Sequence, residues 1–332
     1  MGSWKEPKTD GSTIQYLAYG SNLSAETFIR KRGIRPLSKI NVYVPLLEFN
    51  LDLPGLPYME PCFANVNFRK PGQKSMDQDQ AQLAPIDPWR YSDEKWDGGL
   101  MGVVYEVTHE DYRQIIRTEG GGSGYKEIVV PCMPLDPGSS SRHKNPDIAA
   151  PRPFFARTLY APPKLPLEFP DSKSSSTPWW KKFITGPYRP NPGYSQASAR
   201  YLKLIKDGAR EHDLPAVYQN YLTSLQPYAV TTLRQQIGRA LFVIMFGPVV
   251  LTLMNIAQRL ADDNGKYPRW IANVITGCLN LVWFTYDHVA KPLFGDGERT
   301  ESGSEAISAV RRPSILADPH IIDEEKIALM GE

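Results

Sequence analysis

Apolar positions fall in short alternating runs through the first half of the chain and in two long unbroken runs near its end. Residues 14–19 are mostly apolar, β-branched or aromatic and predict a strand, which Gly20, Ser21 and Asn22 break. Ser24 suits the cap of a helix over 25–31, Glu26 adds early negative charge, and Gly33 suits its C-cap. Residues 41–51 predict one or two strands, interrupted at Pro45. Residues 53–61, with three prolines and one glycine, predict a loop. Further strands are predicted over 63–68, 100–107, 126–132 and 154–160. Thr108, with Asp111 three residues on, predicts the cap of a helix from 109 to about 117. Helices are also predicted over 195–211 and, after Pro215, over 216–225. Strands and helices mixed in this way predict an α+β fold.

The two long runs are 240–257 and 270–286, each without a charged residue. Arg239 and Arg259 flank the first, and aromatic residues sit at both ends of the second. The eighteen residues of the first lie at the lower edge of a bilayer span. Gly247-Pro248 would kink it, and Asn273 and Asn280 weaken the second. Three arrangements fit: a helical hairpin entering or crossing a membrane, two amphipathic helices lying on a membrane or on the protein body, or burial in a homo-oligomer. The first two place the protein at a membrane with its folded body in the cytoplasm, and a soluble cytoplasmic protein is the alternative.

Composition narrows the function classes. A net charge of +2 over 332 residues carries no nucleic-acid footprint. Five histidines and three cysteines are too scattered for a metal site, and Cys62, Cys132 and Cys278 form no C-x-x-C pair. A reducing compartment suits such a chain. The polar residues 1–12 lack the apolar run of a signal peptide. Thirty prolines imply long irregular connections, concentrated after 134 and 162, and the polar 69–97 reads as a surface insertion. Within it Trp89, Tyr91 and Trp96 either pin the segment or line an entrance.

Chemistry gathers at residues 16–24, Y-L-A-Y-G-S-N-L-S. A strand feeding a tight turn and then a helix start aims backbone N–H groups at one small volume, which suits an anion or a developing oxyanion. An ordinary strand-turn-helix accounts for the same residues. The run Tyr19-Gly20-Ser21-Asn22-Leu23 resembles the signature of the gamma-glutamylcyclotransferase-like family. That family follows the turn with a strand like 100–107, a short helix, then an E-G pair and a tyrosine a few residues on. Glu119-Gly120 and Tyr125 fall into that pattern, and 63–67 and 208–215 resemble later parts of it.

The resemblance implies a small mixed, strongly curved sheet or barrel with outer helices, holding its pocket at the ends of the first strand and the strand near Leu100. It implies a catalytic domain over 13–228 with insertions at 69–97 and 134–178. An apolar helical region over 229–295 and a polar tail over 296–332 follow. It implies Glu119 as catalytic acid-base, with Tyr19, Gly20, Ser21, Asn22, Leu23 and Tyr125 around the substrate. The reaction expected is release of 5-oxoproline from a gamma-glutamyl amide, peptide or glutathione-type conjugate, within glutathione or secondary metabolism, needing no cofactor or metal. Ser21 has no His-Asp partner at recognisable spacing and reads as a substrate-binding or structural residue. His109 and His212 read as surface or capping residues, and Asn65 is a weaker pocket candidate. A non-catalytic membrane-associated binding protein of the same fold is the alternative, and a hydrolase using the same carboxylate is a third.

Overall fold

The computed structural model describes residues 13–69, 96–121, 124–135, 152–162, 189, 191 and 193–301. The strands are β1 (Thr13–Ala18), β2 (Ser38–Val44), β3 (Leu47–Leu56), β4 (Glu60–Phe68), β5 (Leu100–Thr108), β6 (Lys126–Pro134) and β7 (Phe154–Tyr160). Five of them close a barrel in the order β1-β5-β2-β6-β7. β1 runs antiparallel to β5, with Tyr16 opposite Tyr105, and meets β7 in parallel at Arg157, which closes the ring. Leu17, Val42, Val44, Leu100, Val103 and Val104 are fully buried within the core this ring organises. Each such side chain contributes about 1.5–3 kcal/mol by leaving water.

β3 and β4 form a separate two-stranded ribbon. It runs through most of the segment expected to be a loop, with Pro54 opposite Cys62 and a register shift between Asn50 and Leu53. In a ribbon of two strands each strand has a neighbour on one side only, so a proline facing outward interrupts no ladder. The proline-based expectation failed for that reason.

The helices are α1 (His109–Thr118), α2 (Ala199–Glu211), α3 (Ala216–Ser224), α4 (Leu233–Arg259) and α5 (Arg269–Thr285). The Thr108 hydroxyl accepts from the Asp111 N–H at 3.1 Å and starts α1 as its sequence predicts. Ser198 caps α2 in the same way, accepting from the Tyr201 N–H at 3.0 Å. The helix after Ser24 is a short wide turn over Glu26–Lys31, and Gly33 follows it at φ 71°.

α4 and α5 contain the two apolar runs. α4 opens with a reciprocal cap between Thr232 and Gln235 and continues through Pro248 to Arg259. It is long and apolar enough to cross a bilayer, and 17% of its most apolar window is buried. At one end of the pair, Tyr58 from the β3–β4 turn packs on Phe242 and Tyr286, with ring centroids 5.5 and 5.6 Å apart. At the other end, the 260–268 link lies on α1, where the Tyr267 hydroxyl donates to the Arg117 carbonyl at 2.8 Å. A hairpin inserted across a bilayer would carry that link to the far side. Here one end of the pair touches the β3–β4 ribbon and the other touches α1.

The chain after α5 returns to the body. Asp296 and Glu298 are buried, and Glu298 accepts from Arg189 and from Ser195 at 2.8 Å. The Tyr194 hydroxyl donates to Asp296 at 2.5 Å. The expected boundary of a polar tail at 296 therefore falls inside a buried ionic cluster. Residues 302–332 lie outside the described residues, as do most of 69–97 and of 134–178, with Trp89 and Tyr91. The ends of the first insertion are visible: Arg69 pairs with Asp97 at 2.9 Å, and Trp96 packs on Tyr218 and Tyr221. Trp96 thus pins the segment to the body.

Candidate active site

β1 delivers the turn at one end of the barrel. The turn is a short 3-10 helix, Ser21–Leu23, whose internal bonds run from the Leu23 N–H to the Gly20 carbonyl at 3.0 Å and from the Ser24 N–H to Ser21 at 3.2 Å. These bonds begin at Leu23, so the N–H groups of Ser21 and Asn22 stand outside them. Leu23 itself is fully buried, and its side chain faces α2 at Gly208. A β-carbon at Gly208 would lie 2.5 Å from that of Leu23 and 2.6 Å from the Ser24 nitrogen. Glycine there lets the helix cross directly over the turn. His212, at the end of α2, bonds the Leu23 carbonyl at 3.0 Å and Tyr105 at 2.8 Å, which supports the turn from below. Burial and nearby Lys39 lower its pKa below the ordinary value.

A small cleft opens beside this turn. Tyr19, Gly20, Ser21, Asn22, Glu119 and Tyr125 line it together, although Asn22 and Glu119 stand 97 positions apart in the chain. Leu23 is outside the lining. Tyr16, Ala64, Leu159 and Tyr201 complete the wall.

Glu119 ends α1, with its N–H bonded to the Ile115 carbonyl at 2.9 Å. Its carboxylate oxygen Oε1 accepts from Asn22 Nδ2 at 2.8 Å and from Arg32 at 2.6 Å. The same Asn22 nitrogen donates to the Tyr16 hydroxyl at 2.9 Å. Arg32 also donates to the Thr118 hydroxyl at 2.5 Å. The side chains of Arg32 and Glu119 are 12% and 20% exposed, so the pair is shielded but reachable from the cleft. The asparagine's side chain thus joins turn and carboxylate instead of bracing its own backbone.

Four tyrosines surround this pair. The hydroxyls of Tyr19 and Tyr125 donate to the carbonyls of Leu159 at 2.6 Å and Ala64 at 2.9 Å. With their protons committed, they offer lone pairs to anything else that binds. Tyr201 accepts the Ala64 N–H at 3.1 Å and bonds the Ser21 hydroxyl. Burial, reinforced by neighbouring phenols and Glu119, pushes the phenols of Tyr16, Tyr19, Tyr125 and Tyr201 above their ordinary value. They remain neutral hydroxyls at physiological pH.

Asn65 sits elsewhere. It is buried, pairs in both directions with the Ala161 backbone and donates to Asp52 at 2.8 Å, fastening β4 to the chain after β7. Sequence reading missed Arg32, Tyr16 and Tyr201. Arg32 marked only the end of a helix, and Tyr201 belonged to an apolar helix face. No local pattern links either to Glu119.

Residues 232–293 match the family model described as the AclK C-terminal domain. The chain is 30% identical to the gamma-glutamyl cyclotransferase gliK of Aspergillus fumigatus, over 86% of this chain and 89% of that one. It is 29% identical to the gamma-glutamyl cyclotransferase aclK of Aspergillus oryzae, over 88% of this chain and 92% of the relative. A solved gamma-glutamyl cyclotransferase aligns with 69% of this chain and 98% of its own at 16% identity, with a TM-score of 0.39.

Proposed function

The chain belongs to the gamma-glutamyl cyclotransferase family, and from that premise we propose that it releases 5-oxoproline from a gamma-glutamyl amide, peptide or glutathione-type conjugate, with Glu119 as the acid-base. The observation that carries this reading is the placement of Glu119 in one cleft with the Tyr19–Asn22 segment, held by Asn22 and Arg32. In a gamma-glutamyl amide the α-amine and the side-chain carbonyl belong to one molecule, and attack closes a five-membered ring. The enzyme's task is then to fold the substrate into a near-attack geometry.

The α-amine arrives as an ammonium. Glu119 takes one proton from it, and the freed amine attacks the γ-carbonyl carbon. The carbonyl electrons move to oxygen, where the Ser21 and Asn22 N–H groups stabilise the oxyanion. As the carbonyl re-forms, the bond to the leaving nitrogen breaks and Glu119 returns its proton to that nitrogen. The ring nitrogen gives its surplus proton to the departing amine. The products are 5-oxoproline and an ammonium, with protons and charge conserved. The lone pairs of Tyr19 and Tyr125 suit the N–H groups of the glutamyl ammonium, and Arg32 fixes the direction of the carboxylate.

The catalytic region in this reading spans 13–228 and the apolar helical region 229–295. Outward-facing Leu233, Ile244, Leu251, Trp270 and Phe284 are each more than half exposed, and Arg234, Arg239, Arg259 and Arg269 accompany them. With both ends of the α4–α5 pair on the body, this favours a hairpin lying in the plane of a cytoplasmic membrane surface. Flotation with anionic vesicles tests that placement: co-flotation supports it, and protein remaining at the bottom at low salt overturns it.

The catalytic reading is tested by 5-oxoproline release from gamma-glutamyl dipeptides, glutathione and a bulky glutathione S-conjugate. Release of 5-oxoproline from any of them supports it, and the preferred one identifies the leaving group. Free glutamate as the product would point to a hydrolase. Absence of any product from folded protein would point to a binding protein.

A further inference from the structure

Glu119 precedes three glycines in sequence, the first two being Gly120 at φ 88° and Gly121 at φ 56°. Backbone of that kind is loose in solution, and a carboxylate beside it would wander. In the folded protein it is held from the C-terminal side. The Tyr267 N–H donates to the Gly121 carbonyl at 3.0 Å. The Tyr267 hydroxyl donates to the Arg117 carbonyl at 2.8 Å, satisfying one of the carbonyls that the end of α1 leaves without an intrahelical donor. The Tyr267 ring lies flat against Gly121, so close that a β-carbon there would fall 2.2 Å from the ring. Two residues earlier, Gly265 presses on the carbonyl of Arg113, where a β-carbon would be 2.3 Å away. The ring is 7% exposed and backed by Ala257, Ile271 and Ile275 from the two apolar helices.

We propose that Tyr267 is a positioning residue for the catalytic carboxylate, and that the apolar C-terminal hairpin is for this reason a working part of the catalytic unit. The proposal rests on Glu119 as the acid-base. Arg32 and Asn22 hold its carboxylate from the N-terminal side, while Tyr267 holds its backbone from the other. Neither hold alone fixes both the position and the direction of the group. A misplacement of about 1 Å costs on the order of 100-fold in rate.

The test uses the full chain. Tyr267→Ala should lower kcat by about 10–100-fold with KM changed less than about threefold. Tyr267→Phe, which keeps the ring and the N–H bond, should recover most of the rate. Gly121→Ala drives a methyl into the ring and should lower kcat alone. Combined with Tyr267→Ala it should cost less than the product of the two single effects, because the methyl enters the vacated space. Val282→Ala, buried at the far end of the hairpin, should lower stability and leave kcat within about twofold, as expected of a site that does not touch this contact. Hydrogen exchange over 113–121 gives a readout independent of turnover: folded Tyr267→Ala should exchange faster there than wild type. Unchanged kcat or KM-dominated loss in Tyr267→Ala, with wild type active and Glu119→Gln inactive, overturns the proposal alone. Inactive wild type overturns the catalytic reading instead, and unchanged exchange over 113–121 then overturns the positioning claim separately.

Discussion

Replacing Glu119 by Gln keeps the side chain's shape and one carbonyl oxygen, so Asn22 and Arg32 retain an acceptor where they now meet Oε1 at 2.8 and 2.6 Å. What disappears is the charge and the capacity to carry a proton. General acid-base catalysis contributes about 10²–10⁴ in rate, equivalent to roughly 3–5 kcal/mol of barrier. The stability cost is smaller. Side-chain exposures of 12% and 20% place the Arg32–Glu119 pair between a surface bridge and a buried one. A surface pair is worth about 0–1 kcal/mol and breaking a buried one costs about 3–5. With a neutral acceptor retained, a loss of about 1–2 kcal/mol follows, which lowers Tm by a few degrees. The assay is 5-oxoproline release under saturating substrate, beside thermal unfolding of both proteins at one pH. The expected result is a variant folded at the assay temperature, with KM nearly unchanged and kcat down at least about 100-fold. A kcat within about tenfold of wild type would refute the acid-base assignment, whatever the fate of Tm.

Gly208→Ala tests the crossing of α2 over the turn. Helix propensity alone favours alanine by about 1 kcal/mol, but a β-carbon 2.5 Å from Leu23 must displace the turn, so a net loss of about 1–3 kcal/mol is expected in denaturant unfolding; a stabilised variant would contradict the packing. Tyr201→Phe removes the acceptor of the buried Ala64 N–H and should cost about 1–3 kcal/mol in the same assay, whereas no loss would mean that the amide finds another partner. For Asp97, burial acts to raise the pKa, but bonds from Tyr43, Arg69 and the Gly99 N–H outweigh it and hold the carboxyl below its ordinary value. The unfolded chain therefore binds the proton first on acidification, and this contribution is complete above the ordinary Asp value of about 3.9 and is lost as pH falls through the folded-state value. The urea midpoint should fall below about pH 4, and Asp97→Asn should flatten part of that fall; an unchanged slope would remove Asp97 as a source.

The sequence alone determined the elements whose cause is local. The strand over 14–19, the cap at Thr108, the helix of α1 and the strand over 154–160 follow from side-chain alternation and from hydroxyls that satisfy helix-end donors, interactions made within a few residues. The Tyr19–Leu23 turn and the Glu119-Gly120 pair were legible through resemblance, which is how two segments nearly a hundred positions apart could be named together. Other features required the tertiary structure. Pro54 and Pro61 read as loop because local rules do not reveal that β3 and β4 pair with each other alone, whereas Pro57 does lie in the turn between them. Leu23 matched the motif, yet its apolar side chain packs under α2 and leaves the cleft to its neighbours. Arg32 reaches Glu119, and Tyr267 reaches Gly121, only when the barrel and the hairpin bring them together. The apolar runs showed their hydrophobicity in the sequence, but their orientation came from contacts at Tyr58 and Tyr267. Burial and long-range pairing are properties of the closed fold, and no window of sequence contains both partners.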